Sequence, residues 1–124
     1  NLHTDPEVIR WQVRFVRCFV RTFKDHPAIA FWEAGNECNC LGRANRFEGA
    51  LWTRAVSDAI RAADSARPVL SGMHSLISNP ISSATSPEPW SIQDMAEDFD
   101  VLTTHPYPLF TPPCGKSSLT RTII

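Results

Sequence analysis

Residues 28–34, AIAFWEA in the longer run HPAIAFWEAGNE, are apolar on both faces apart from Glu33, and the run closes on Asn36 and Glu37. A strand with one wet face alternates apolar and polar side chains with period two. An unbroken apolar run fits a strand covered on both faces, as in the parallel sheets of α/β folds. Such a sheet needs helices on either side, so the flanking sequence has to supply them.

It does. Asp5 can cap a helix over residues 5–24, with Pro6 at its first position and Glu7 at its positive end. Val8, Trp11, Phe15, Phe19 and Phe23 recur every three or four residues and predict one buried stripe. Pro27 ends the helix, because a residue before proline avoids helical angles. A second helix is predicted over residues 43–66, with Phe47, Leu51, Ala55, Val56, Ile60 and Ala63 buried. A short strand over 69–72 follows, then a long Ser- and Pro-rich loop over 73–90 of the kind that is usually functional. Residues 91–94 have the form of a capping box, with Asp94 in place of the usual Glu or Gln. A third strand over 99–104 runs into His105, Pro106, Tyr107 and Pro108.

This alternation predicts an α/β fold with a parallel sheet. The three strands end at Asn36 and Glu37, at Met73, His74 and Ser75, and at His105 to Tyr107. Carboxyl ends of parallel strands share one side of the sheet, where such folds build their sites. Residues 117–124 read as the opening of another helix. Three strands are few for a sheet covered on both faces, so the chain reads as a piece of something larger.

Composition narrows the classes. The 124 residues suffice for one modest domain, and a net charge of -1 without a basic stripe gives no case for nucleic acid or an anionic membrane. No run approaches the roughly 18 apolar residues of a membrane helix. The first ten residues lack a signal-peptide layout. Four cysteines are too few for a disulfide scaffold. Cys18 reads as a small buried hydrophobe in the first helix. Cys38 and Cys40, with Cys114 and a histidine, can be drawn as a zinc site but lack the C-x-x-C spacing of zinc knuckles. The expectation is therefore no metal and no cofactor.

HPAIAFWEAGNE resembles the fourth strand of a clan A glycoside hydrolase. DFDVLTTHPYPLF resembles strand six, and WTRAVSDAIRAADSARPVLSG the helix and strand between, with Asp64, Arg67 and Pro68 as the turn entering strand five. The order leans towards family 5, of cellulase or β-mannanase type. An exo-acting family 2 barrel, β-galactosidase-like, is the alternative, since it also uses an HP…W…GNE strand. The resemblance implies a partial (β/α)8 TIM barrel, residues 1–124 covering about helix 3 to the start of helix 6, with the remainder of the barrel required for activity. It also implies a carbohydrate partner such as β-mannan or β-glucan, and a retaining mechanism with Glu37 as acid/base. By the same resemblance, Asn36 would bind the sugar 2-hydroxyl, Tyr107 would orient the nucleophile and His105 would shape the cleavage subsite. His74 and Trp90 are further candidates for substrate binding. The nucleophile belongs to a seventh strand.

Glu33 is no second catalytic carboxylate on this reading, but a paired structural charge pointing into the barrel. Four residues of extended strand span about 13 Å, against about 5 to 5.5 Å for retaining pairs and about 6.5 to 9.5 Å for inverting ones. Asp94, Glu97, Asp98 and Asp100 are expected on a solvated face. Plainer readings stand beside each assignment: Asn36 as a residue tolerating a left-handed turn, Glu37 as a cap, His105 as a turn residue. A non-catalytic sugar-binding or structural protein is the reading of a different class.

Overall fold

The computed structural model describes residues 1–40, 44–74 and 90–105. Tyr107, Cys114, most of the 73–90 loop and the helix expected from Ser117 lie outside the described residues. Helix α1 spans Pro6–Phe23; strand β1, Trp32–Glu33; a 3-10 turn, Cys38–Cys40; helix α2, Arg46–Arg61; strand β2, Val69–Leu70; and a second 3-10 turn, Ile92–Met95. Among the described residues, no helix is long and apolar enough to cross a membrane.

Both helices start where the sequence provides a cap. The Asp5 carboxylate accepts from the N–H groups of Glu7 and Val8, satisfying donors at the start of α1 that have no partner within the helix. Asn45 and Glu48 form a reciprocal capping box at the start of α2. At the Ile92–Met95 turn, one Asp94 oxygen accepts from both the N–H and the hydroxyl of Ser91. Asp is long enough for that task here.

The sheet is parallel, with Trp32 opposite Val69 and Glu33 opposite Leu70. The first strand is shorter than residues 28–34 suggested, because a turn bonding the Ile29 N–H to the His26 carbonyl occupies its expected start. Residues 100–105 join the other side of β2 through parallel bridges, Leu70 to Val101 and Met73 to Thr104. Alternation along these segments gives the sheet two unlike faces. Trp32, Val69, Ser71 and Met73 are buried on the helix side. Phe31, Glu33 and Val101, on the other side, are exposed. In a closed barrel that second face points inward and is filled by side chains from all the strands.

The buried carboxylate of Asp64 ties the helix side to the sheet. One oxygen accepts from the Trp32 indole at 2.9 Å and from Arg67 at 2.9 Å, and the other from the Ala66 N–H at 3.0 Å. Arg67 also donates to the Ile29 carbonyl. These bonds, the Trp32 indole's first among them, hold the Asp64 carboxyl down at about 2 against the burial that opposes them.

Two expectations about the helices are corrected. On α1, Trp11, Phe15, Phe19 and Phe23 are exposed, while Val20 is buried and Ile9 and Val16 pack against the core. The helix carries a second apolar face about 100° round from the first, and Gln12 lies on that face. Its side chain donates to the Leu2 carbonyl and accepts from the Trp52 indole. Cys18 is likewise exposed. On α2, Phe47 and Leu51 are 67% and 71% exposed, and Trp52, Val56, Ala59 and Ile60 form the buried side with Gly49. The Trp90 ring lies so close over Gly49 that any Cβ there would overlap it.

The acidic residues before the third strand segment are not simply solvated. Arg46 pairs with Asp94 at 2.6 Å, Arg54 with Asp98 at 3.1 Å and Arg61 with Asp100 at 3.1 Å. Three arginines along α2 thereby dock residues 94–100. Asp100 also accepts from the Val69 N–H, which lowers its pKa first, with Arg61 adding to the effect.

Two outcomes test this packing. Gly49→Ala should destabilise the fold by about 1–3 kcal/mol in urea unfolding, since the new methyl would overlap the buried Trp90 ring. Asp64→Asn should cost about 2 kcal/mol near neutral pH, as hydrogen bonds to a charged group are lost. Because the folded pKa is depressed from 3.8 to about 2, the stabilisation is full above pH 4 and disappears as pH falls through 2. Melting temperatures of the two proteins should therefore converge over that window.

Candidate active site

The site is built where β1 stops being extended. Beyond Ala34 the chain bends, and Glu37 adopts φ 53°, in the left-handed region. Its N–H donates to the Gly72 carbonyl at 2.8 Å, and its carbonyl accepts from the Cys40 N–H at 2.8 Å. A left-handed conformation costs a residue with a side chain about 1–2 kcal/mol, so the surrounding bonds must hold it. Glu37, rather than Asn36, is the residue in the left-handed turn.

Gly72 faces this bend and itself has φ 68°. A Cβ at Gly72 would collide with the Gly35 carbonyl oxygen and the Glu33 side chain. Only glycine lets the two strand tips come this close.

Three strand ends then meet. Glu37 Oε1 lies 3.3 Å from His105 Nδ1, and His105 Nε2 lies 3.8 Å from Glu33 Oε1. Thr103 Oγ1 donates to Glu33 at 3.4 Å and accepts from the Gly72 N–H at 2.9 Å. Register delivers this arrangement: the Met73 carbonyl accepts from the His105 N–H, which places His105 level with the tips of β1 and β2.

Glu33 is nearer Glu37 than an extended chain allows, since both carboxylates reach one imidazole. The bend over residues 34–37 shortens the path. In the structure Glu33 is a partner of His105 and Thr103.

His74 is buried beside this cluster, and its N–H donates to the Asn39 side-chain oxygen at 2.8 Å. Ligand atoms of Glu37, Cys40 and His74 all lie within 4.8 Å of one another. Burial, and then the Glu37 charge, push the Cys40 thiol up. Cys38 points away into the core, where burial raises its thiol to about 12.

The remaining candidates sort by position. Asn36 is exposed at the tip, next to Glu37. Trp90 is not brought to the strand tips. It is 1% exposed, edge-on to Trp52 and His3 and covering Gly49, so its faces are spent on packing. Trp32 also packs, through its indole bond to Asp64. Asn39 and Thr103 join the site without a sequence motif that singles them out. Asn39 was within reach as a polar group soon after Glu37, whereas nothing local marks Thr103.

A carboxylate and a histidine thus meet at the carboxyl ends of parallel strands, the end at which α/β barrels build their sites. The family model described as glycosyl hydrolases family 2, TIM barrel domain, matches residues 1–106. The chain belongs to that family. This places it in clan A, as the strand motifs implied, and its parallel strands are consistent with part of a barrel, but the match is to family 2, the alternative drawn from HP…W…GNE, and not to family 5. No curated protein and no solved structure shows a significant similarity to the chain.

Because a left-handed conformation is strained at a residue with a side chain, Glu37→Gly should raise stability by about 1 kcal/mol in denaturant unfolding. Gly72→Ala should lower it by more than that. A destabilised Glu37→Gly would mean that the side chain's contacts outweigh the backbone strain.

Proposed function

We propose that the chain is part of a retaining β-glycosidase in which Glu37 is the acid/base. The observation that carries this is Glu37 held at a strand tip in a left-handed conformation, 3.3 Å from His105, in a chain of family 2. Glycoside cleavage needs an acid to protonate the leaving oxygen and a second carboxylate to attack the anomeric carbon. Glu37 supplies the first, then activates water as a base in the second half-reaction. The nucleophile comes from another strand of the barrel. His105 positions the Glu37 carboxyl, Asn36 binds the sugar hydroxyl beside the bond that is cut, and Tyr107 orients the nucleophile.

The substrate is a β-linked oligo- or polysaccharide. Family 2 membership favours removal of terminal sugars over internal cutting of β-mannan or β-glucan, the family 5 reading. A panel of aryl β-glycosides and intact β-glucan and β-mannan separates the two. Release of terminal monosaccharide supports the first; a rapid fall in polymer viscosity supports the second.

Acid catalysis by Glu37 has its own signature. In the full-length protein, Glu37→Gln should cut the rate of glycosidic cleavage for sugar leaving groups by roughly 10²–10⁴. The loss should be much smaller for nitrophenyl leaving groups, which depart without a proton. Equal losses on both would remove Glu37 from the acid's role.

A further inference from the structure

Glu37, Cys40 and His74 offer three different donor types at one point: a carboxylate oxygen, a thiol sulfur and an imidazole nitrogen, all within 4.8 Å of one another. Each is delivered by backbone already fixed for another reason. The Cys40 N–H bonds the Glu37 carbonyl at 2.8 Å, closing a tight turn that sets the first and fourth residues on one side. Between them, Asn39 is buried and holds the His74 backbone at 2.8 Å, bringing the end of β2 against that turn. His105 contacts the Glu37 carboxylate at 3.3 Å. Ligands of real metal sites are oriented by partners of this sort.

We propose that these three residues form a site for a zinc-like divalent ion. Tetrahedral zinc, with bonds of about 2.0–2.3 Å, needs its ligand atoms roughly 3.5 Å apart. Side-chain rotations moving each atom by roughly 1 Å close the observed spacing. A mixed sulfur, nitrogen and oxygen set suits zinc and excludes calcium and magnesium, which take oxygen ligands. Three protein ligands leave a fourth position open to water. This departs from the expectation of no metal, and it uses a different cysteine set from the one the spacing suggested, since Cys38 is turned into the core. The site stands whatever Glu37 does in catalysis. Its consequence rests on the proposed function: an ion on Glu37 displaces the proton that the acid must donate, so zinc would inhibit the glycosidase.

Cobalt(II) reads the site without any activity assay. In the whole chain with Cys18→Ser and Cys114→Ser, only Cys38 and Cys40 remain as thiols. One equivalent of Co²⁺ should give a thiolate charge-transfer band and tetrahedral visible bands, both bleached by Zn²⁺. Adding Cys40→Ser should abolish the charge-transfer band and weaken Zn²⁺ binding by at least about tenfold, with circular dichroism unchanged. Should Cys40→Ser disturb the fold, Glu37→Gln decides: it keeps the thiol, and the Zn²⁺ affinity should fall by a similar factor. No charge-transfer band in the parent, a band surviving Cys40→Ser in the folded protein, or an affinity unmoved by Glu37→Gln overturns the proposal.

Discussion

The buried Asp64 carboxylate fixes the parity of the sheet, and the site depends on that parity. Through the Trp32 indole on one strand, and through Arg67 and Ala66 at the turn before the next, it sets which residues of β1 meet which residues of β2. A slip of one residue would exchange the faces of every side chain on β1. Trp32 would swing into the open face, Glu33 would be forced beneath α2, and the Glu33, Thr103 and His105 contacts would be lost. The charged hydrogen bonds at Asp64 thus do at the lower end of the sheet what the site requires at the upper end.

From that register follows a site shaped mainly by backbone. Gly72 permits an approach no other residue allows, Glu37 accepts a left-handed bend, and the Gly72 carbonyl holds it there. Strain of this kind survives only when the neighbouring structure over-determines it. Here the Trp32, Ala34 and Glu37 N–H groups, bonded in turn to the Pro68, Leu70 and Gly72 carbonyls, do so. The result aims a carboxylate across the sheet at His105 instead of along its own strand.

Much of this was legible in the sequence wherever the controlling physics is local. Asp5 and Pro6 announce the start of α1, and the apolar run before Asn36 and Glu37 announces a parallel strand, although among the described residues only one of its faces is covered. The errors arose where tertiary choice decides. Helix α1 carries two apolar faces, and the one that packs is that of Ile9, Val16 and Val20, on which Gln12 bonds Leu2 and Trp52. Gly49 accommodates Trp90 and so turns α2 away from the face that Phe47 and Leu51 suggested. An arginine series on α2 converts apparently solvated aspartates into docking points. In the site, Glu37 and His105 were legible as strand-end polar groups. Glu33 was legible as a paired structural charge, but the histidine it shares with Glu37 was not, because the close approach of the strand tips depends on Gly72, more than thirty residues away.

Everything proposed for catalysis turns on the Glu37 carboxyl facing the bond to be broken. The most direct measurement is a crystal structure of the full-length protein with a β-linked thioglycoside, whose bridging sulfur resists cleavage. The expected result is the sulfur within about 3.5 Å of a Glu37 oxygen, on the side of the bend away from His105, with Asn36 near the adjacent sugar hydroxyl. A bound sugar whose bridging atom faces a different acid, with Glu37 still turned to His105 and out of reach, would contradict it.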